Sequence, residues 1–242
     1  MQPSMHYPDE IITLWLETCK QVKVDLSPEQ ILRIKAYHKL LIHQNQTMNL
    51  IRLANGLDDF LYRHVLDSLV LNRHINNQET VLDIGSGAGF PAIPLAITRP
   101  ELSITAVESI KKKALFLATC KEKLALANLT VCNARAETLA KTKRHREKYQ
   151  VITARAVAKL PVLLEWAAPL TAVGGVCLMM KGKKYSEELD DAEKIIQALG
   201  LSYEKAIGFN LPQLVGSKIL LFQKTVPTDL KYPRHSSKSQ RG

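Results

Sequence analysis

Three glycines alternate in the stretch TVLDIGSGAGFPAIPLAI, Thr80 to Ile97, directly behind a short apolar run and directly before a helical pattern. Strand, glycine-rich turn and helix in that order commit this part of the chain to an open α/β sheet. In such a sheet the ligand lies beyond the C-terminal ends of the strands, at the turn that follows the first one. Gly85, Gly87 and Gly89 fall at that turn, where the missing Cβ permits unusual φ and lets a ligand approach the backbone. A dinucleotide fingerprint, G-x-G-x-x-G/A, would place its last small residue at Phe90, and phenylalanine does not permit the close helix–strand packing that this residue serves. The pattern is instead D-x-G-x-G-x-G, with Asp83 at the strand end and Glu108, about 20 residues on, at the tip of the next strand, where an acid accepts hydrogen bonds from ribose hydroxyls. A ligand with a ribose but no pyrophosphate fits, namely S-adenosylmethionine. The competing reading makes Asp83 a helix-capping carboxylate and Glu108 a surface charge paired with Lys111 or Lys112.

From Thr80 onward, short apolar runs alternate with amphipathic stretches, which predicts βαβ crossovers and a mostly parallel sheet covered on both faces. The closing pair, SYEKAIGF and SKILLFQK, has no helix between its members and predicts an antiparallel hairpin at one edge. The expected fold is a Rossmann-like α/β domain with a seven-stranded sheet. Before residue 78 the periodicity is helical. Ile11, Leu14 and Trp15 fit one short helix, Ser27-Pro28-Glu29-Gln30 is a capping signature, and Ile31, Ile34, Tyr37 and Leu41 recur at helical spacing. After the turn at Asn55-Gly56, Leu57, Phe60, Leu61, His64, Val65 and Leu69 restore that spacing. The expected organisation is a helical section over 1–77, a ligand-binding domain over 78–226 and a basic flexible tail over 227–242.

The formal charge of +10 concentrates in two segments, KTKRHREK (Lys141 to Lys148) and the tail KYPRHSSKSQRG (Lys231 to Gly242). Such patches neutralise phosphates, so they point to a nucleic-acid partner; as solvated loops they would need none. No apolar run approaches the roughly 20 residues of a membrane span. No signal-peptide pattern opens the chain, so a soluble cytoplasmic protein is expected. Cys19, Cys120, Cys132 and Cys177 lie far apart and form no C-x-x-C. They are expected as reduced packing residues, with no metal site. A monomer is expected, because no long apolar surface stripe remains unassigned.

Five ordered motifs, RHVLDSL from Arg63, LDIGSGAGFPAIPLA from Leu82, ESIKKKALFL from Glu108, NARAE from Asn133 and TARAVAKL from Thr153, resemble those of the bacterial RsmG (GidB) family. The resemblance spans about residues 28 to 224, and Tyr232-Pro233-Arg234 echoes a tail found in many members. It implies a class I methyltransferase that moves a methyl group from S-adenosylmethionine to a guanine N7 of 16S rRNA, within a small-subunit assembly particle. It carries cofactor contacts to Gly85, Phe90, Glu108, Ala136, Glu137 and Arg155. One departure is Ala92, where the family usually has glycine in P-G-I-P; a helical φ tolerates the change.

Guanine N7 has an in-plane lone pair and no proton, so no general base is expected and none stands out. Arg155, at a strand end, is suited to the O6 edge of the base or to the cofactor; the plain alternative is an ion pair with Glu137. His64 and Lys181 are further catalytic candidates. Against them stand a locally satisfied core histidine beside an Arg63–Asp67 i,i+4 pair, and a lysine that merely solvates a loop. Asn49 is a weaker candidate, since an Asn at a helix end commonly bonds its own turn. Two other functions fit the same residues: methylation of a small molecule or protein, and RNA binding without catalysis.

Overall fold

The structure is a computed structural model and describes residues 7–234. Its centre is one seven-stranded sheet in the order β3-β2-β1-β4-β5-β7-β6. The parallel strands are β1 (Thr80–Ile84), β2 (Ser103–Val107), β3 (Leu129–Cys132), β4 (Tyr149–Arg155) and β5 (Thr171–Lys181). The edge hairpin comprises β6 (Leu201–Gly208) and β7 (Lys218–Lys224), and the chain folds back so that β7, antiparallel to both neighbours, lies between β5 and β6.

Both faces of the sheet are buried, so apolar residues fill consecutive positions of the strands. Along β4 and β5, Val151, Leu178 and Met180 join one core cluster, while Ile152, Cys177 and Met179 join the other. The first face is covered by the N-terminal helices, α4 (Ala92–Thr98) and α5 (Lys111–Lys123), the second by α6 (Ala136–Leu139), α7 (Leu160–Ala167) and α8 (Tyr185–Ala198).

The N-terminal layer consists of α1 (Asp9–Gln21), α2 (Pro28–Asn45) and a third helical segment. The capping box opens α2 as its sequence predicts: Gln30 N donates to Ser27 Oγ at 3.2 Å, and Ser27 N donates to Gln30 Oε1 at 2.9 Å. In α1 the buried face is Ile12, Trp15, Thr18 and Cys19, with Trp15 Nε1 donating to the Leu61 carbonyl at 3.0 Å. Leu14, expected on that face, is 57% exposed.

The third segment differs from the expected α-helix. Asp59–Leu66 is π-helical and continues into α3 (Asp67–Leu69) and a 3₁₀ turn over Val70–His74. The expected Arg63–Asp67 pair gives way to another i,i+4 pair. Arg63 instead reaches back to Asp59 at 3.3 Å, and Asp67 is turned toward the sheet.

The tail also differs. Residues 227–234 are docked, with Thr228 and Tyr232 buried. Arg234 grips the buried Glu165 carboxylate through its backbone N and its guanidinium, Nη2 to Oε2 at 3.0 Å. Residues 235–242, the rest of the expected flexible tail, lie outside the described residues. Arg146, from the other basic segment, donates to the carbonyls of Ala140, Thr228, Asp229 and Tyr232. Two arginines that the sequence offers to a partner are thus spent on fastening the chain to itself. Residues 141–148 and the docked residues 228–234 sit near the N-terminal end of β4, since residue 148 directly precedes that strand and Arg146 holds the carbonyls of Thr228, Asp229 and Tyr232.

Candidate functional site

The expected ligand residues come together at one edge of the sheet. The C-terminal ends of β1 to β5 carry, in turn, the glycine loop, Glu108, the start of α6 with Ala136 and Glu137, Arg155, and Lys181. β1 and β4 are neighbours while their crossovers lead to opposite sides, so the loop and Arg155 flank the switch point of the sheet, where such folds bind ligands.

The glycine loop is held from several directions. Ser86 N donates to the Val107 carbonyl at 3.0 Å, and Gly87 N donates to Glu108 Oε2 at 3.0 Å. Glu108 Oε1 accepts the Ile110 amide at 2.8 Å. Its carboxylate therefore turns toward the loop and away from a pairing with Lys111 or Lys112, and each oxygen keeps a lone pair. From the N-terminal layer, the buried Tyr37 hydroxyl donates to the Ala88 carbonyl at 2.6 Å. Tyr37 was legible only as a core residue at helical spacing, because apolar periodicity says nothing about where a hydroxyl goes.

The three glycines have separate reasons. All have positive φ, at 67°, 56° and 106° for Gly85, Gly87 and Gly89. A Cβ on Gly89 would meet Ile93 Cδ1 at 2.4 Å, and one on Gly85 would meet Val157 Cγ2 at 2.8 Å, so the protein itself closes those positions. At Gly87 the nearest atom would be the Gly85 carbonyl oxygen at 3.7 Å. Gly87 thus presents bare backbone to open space.

Asp83 is fully buried and accepts the Thr153 hydroxyl at 3.0 Å, while its Oδ2 has no hydrogen-bond partner. Burial pushes its pKa up to about 7, although Ser86, Thr153, the Ala92 amide and Arg155 pull the other way. Glu137 is buried at the start of α6, with Arg135 Nη1 3.8 Å from its carboxylate. Arg155 does not pair with it.

Arg155 turns instead to the π-helical segment. Its Nη2 donates to His64 Nδ1, its Nη1 lies 3.4 Å from Asp67 Oδ2, and its guanidinium stands 5.7 Å from the Phe90 ring centre. Nη1 is buried without a hydrogen-bond partner. His64 stacks near Phe90 at 5.0 Å between ring centres, and Phe90 is enclosed by Tyr37 and Phe60. Burial, then the Arg155 charge, hold the His64 pKa down at about 4, against a hydrogen bond to the Arg52 backbone. The imidazole is therefore neutral at pH 7, with Nε2–H as the donor and Nδ1 as the acceptor. Burial raises the Asp67 pKa, with Arg155 and Ser217 opposing.

Lys181 is neither exposed nor free. Its ammonium donates to Glu188 Oε2 at 2.6 Å and to the Ala158 carbonyl at 2.8 Å, which fastens the end of β5 to the turn after β4. Asn49, in the turn after α2, is exposed and does not line the cleft beside Arg155; the neighbouring Asn45 side chain instead caps that turn by accepting from Leu50 N and Ile51 N.

Beside Arg155 opens a cleft of about 930 Å³, bounded by the ends of β4 and β5 and by the connection between β6 and β7. Asp67 and Arg155 line it, and the glycine loop does not. Arg155 thus links the two: it lines the cleft and stands 5.7 Å from the Phe90 ring of the glycine loop. No helix among the described residues is long and apolar enough to cross a membrane.

Solved structures of similar fold include an S-adenosylmethionine-dependent methyltransferase of Methanococcus maripaludis (TM-score 0.56, 16% identity, 78% of this chain and 94% of that one). Another is a SAM-dependent methyltransferase of Aquifex aeolicus (TM-score 0.53, 16% identity, 66% and 89%). Curated relatives are nearer. The ribosomal RNA small subunit methyltransferase G of Lysinibacillus sphaericus is 38% identical, over 91% of this chain and 93% of its own length. That of Lactobacillus acidophilus is 36% identical, over 97% and 98%. With the family's sequence profile matching residues 30–213, the chain belongs to the GidB family, rRNA small subunit methyltransferase G.

Proposed function

We propose that the chain transfers a methyl group from S-adenosylmethionine to N7 of one guanine in 16S rRNA of the small ribosomal subunit. The observation that carries this reading is Arg155, a guanidinium with one buried nitrogen that has an ion-pair neighbour in Asp67 but no hydrogen-bond partner, standing between Phe90 of the glycine loop and the cleft. The residues fit the cofactor: Gly87 leaves its backbone open, Asp83 Oδ2 lacks a partner, and Glu108 keeps lone pairs for hydroxyl donors. We assign its binding to Asp83, Gly85, Gly87, Gly89, Phe90, Glu108, Ala136, Glu137 and Arg155. Bound S-adenosylmethionine supplies an electrophilic methyl group on its sulfonium.

The rest falls to the chain. Guanine N7 carries no proton, so no side chain has to remove one, and alignment supplies the catalysis, at most about 7–11 kcal/mol. Arg155 Nη1 donates to an oxygen acceptor, guanine O6 or a cofactor carboxylate, and leaves N7 free. Neutral His64 and Asp67 hold the guanidinium in place, so His64 acts as a positioning residue. Lys181 positions the turn at residues 156–159 through Ala158.

The test is to incubate the protein with methyl-labelled S-adenosylmethionine and small-subunit particles from cells lacking it, then identify labelled nucleosides by mass spectrometry. Label in 16S rRNA as 7-methylguanosine is expected. Arg155→Ala should lower kcat by 100-fold or more. If it still binds the cofactor, O6 is the acceptor; if binding is lost, the carboxylate is. A wild-type protein that binds the cofactor and labels no RNA refutes the assignment.

A further inference from the structure

The cleft beside Arg155 has a charge pattern of its own. Six cations line it, Arg63, Arg155, Lys159, Lys181, Lys183 and Lys218, against two acids, Asp67 and Glu188. Each acid is already matched from within: Asp67 by Arg155 at 3.4 Å and Glu188 by Lys181 at 2.6 Å. Arg63 spends part of its charge on Asp59 at 3.3 Å. Among the described residues, Lys159, Lys183 and Lys218 have no ion pair. Lys159 and Lys183 are exposed, and Lys218 is half-buried with its ammonium 6.0 Å from the Tyr185 ring centre.

Below this charged rim the lining changes character. Val157, Met180, Phe209, Leu214 and Ile219 provide an apolar lining, with half-buried Phe209 as its aromatic member. The volume, about 930 Å³, is near the top of the range of about 300–1,000 Å³ for ligand clefts. Free positive charge around an apolar, aromatic interior is the pattern that binds single-stranded nucleic acid, in which bases stack on rings and lysines track the phosphates.

The basic segment at residues 141–148 lacks such a setting. It precedes β4, whereas the cleft lies beyond Arg155 at the other end of that strand, about 20 Å away at roughly 3.3 Å per residue. Arg146 in it is consumed by four carbonyls.

We infer that the RNA docks in this cleft: the target nucleotide enters over Phe209, and Lys159, Lys183 and Lys218 hold its neighbouring phosphates, while the 141–148 segment plays no part. The inference rests on the rRNA reading above and adds where the substrate is held. It identifies the β6–β7 connection as the wall that meets the RNA.

The experiment is steady-state methylation of unmodified small-subunit particles across a series of salt concentrations. The double variant Lys159→Ala/Lys183→Ala changes two exposed side chains. It is expected to raise KM for particles about tenfold or more, with kcat unchanged. It should also flatten the slope of log(kcat/KM) against log salt by about 1.4, at roughly 0.7 per phosphate contact on a single strand. Phe209→Ala is expected to lower kcat/KM about 10- to 100-fold while leaving that slope unchanged, since stacking releases no counterions. Calorimetry with S-adenosylmethionine should give wild-type affinity for the variants, which keeps cofactor loss apart from RNA loss. An unchanged KM and slope in the double variant overturns the inference, and so does a flattened slope in Lys143→Ala/Arg144→Ala instead. A wild-type protein that binds the cofactor and methylates no RNA overturns the underlying reading with it.

Discussion

Substituting alanine for Gly87 separates what the fold requires from what the ligand requires. At φ of 56° the new residue sits in the left-handed region, a strain of about 1–2 kcal/mol. No clash is added, because the nearest atom lies 3.7 Å from the new Cβ. For a domain of this size, 1 kcal/mol shifts Tm by about 2–4 °C, so Gly87→Ala should melt only about 2–8 °C lower. The methyl group would, however, stand in the space assigned to the cofactor. Gly89→Ala supplies the contrast: φ of 106° and a 2.4 Å approach to Ile93 Cδ1 add strain of about 1–3 kcal/mol to overpacking of about 1–3 kcal/mol. Its Tm should fall by roughly 5–20 °C. The assay pairs thermal melts with calorimetric titration of S-adenosylmethionine. Gly87→Ala should lose affinity by 100-fold or more with its fold nearly intact, whereas Gly89→Ala should be compromised chiefly in stability. Wild-type cofactor affinity in a folded Gly87→Ala protein would refute the cradle assignment.

Other expectations follow from single contacts. Tyr37→Phe strands the buried Ala88 carbonyl and should cost about 1–3 kcal/mol in urea unfolding, with weaker cofactor binding; an unchanged midpoint would mean that the bond holds nothing. Lys181→Met leaves Glu188, 27% exposed, short of its cation, and should cost about 1–3 kcal/mol, seen as a lower Tm. The pH dependence has opposing parts. His64 and His38, held down at about 4 by burial, bind fewer protons folded than unfolded. They therefore lower stability as pH falls from about 6.5 toward 4. Asp83, raised to about 7, binds more protons folded and lowers stability as pH rises from about 4 toward 7. In Asp83→Asn only the histidine part of this trio remains, so stability should climb more steeply with pH between 4 and 6.5 than in the wild type. An equal slope in urea titrations of the two proteins would contradict the buried ionisable state of Asp83. In NMR, the His64 ring should show one neutral tautomer, Nε2–H, from pH 5.5 to 8.

The sheet was legible because its signals are local: an apolar run of a few residues, a helix-length crossover, and a pair of runs with no helix between them. The capping box at Ser27 was legible for the same reason. What escaped was set by partners far away in the chain. Arg155 lies 91 residues from His64, and nothing in the spacing says that a π-helical turn aims His64 and Asp67 at it instead of pairing Arg63 with Asp67. Arg234 and Arg146 read as free cations because their acceptors, Glu165 and a set of backbone carbonyls, carry no local pattern. The cleft was invisible as well, since its wall is an irregular connection and its lysines are scattered over sixty residues, where they raise no local charge peak.

The Tyr37–Ala88 contact, which spans 51 residues, changes what kind of loop the glycines make. Loops rich in glycine belong to the part of a protein that opens locally at little cost, and binding segments are commonly drawn from it. Here the loop is tied to a fully buried ring in the helical layer, and it also bonds inwardly, with Gly89 N and Phe90 N donating to the Ser86 carbonyl. Its backbone cannot part from Tyr37 without disturbing the packing of α2. The amides of Gly89 and Phe90 should then exchange with deuterium as slowly as those of the central strands, through the same cooperative opening. Equal protection of α2 and the loop would mean that residue 77 is no seam, with the first helices and the glycine loop rising and falling as one unit.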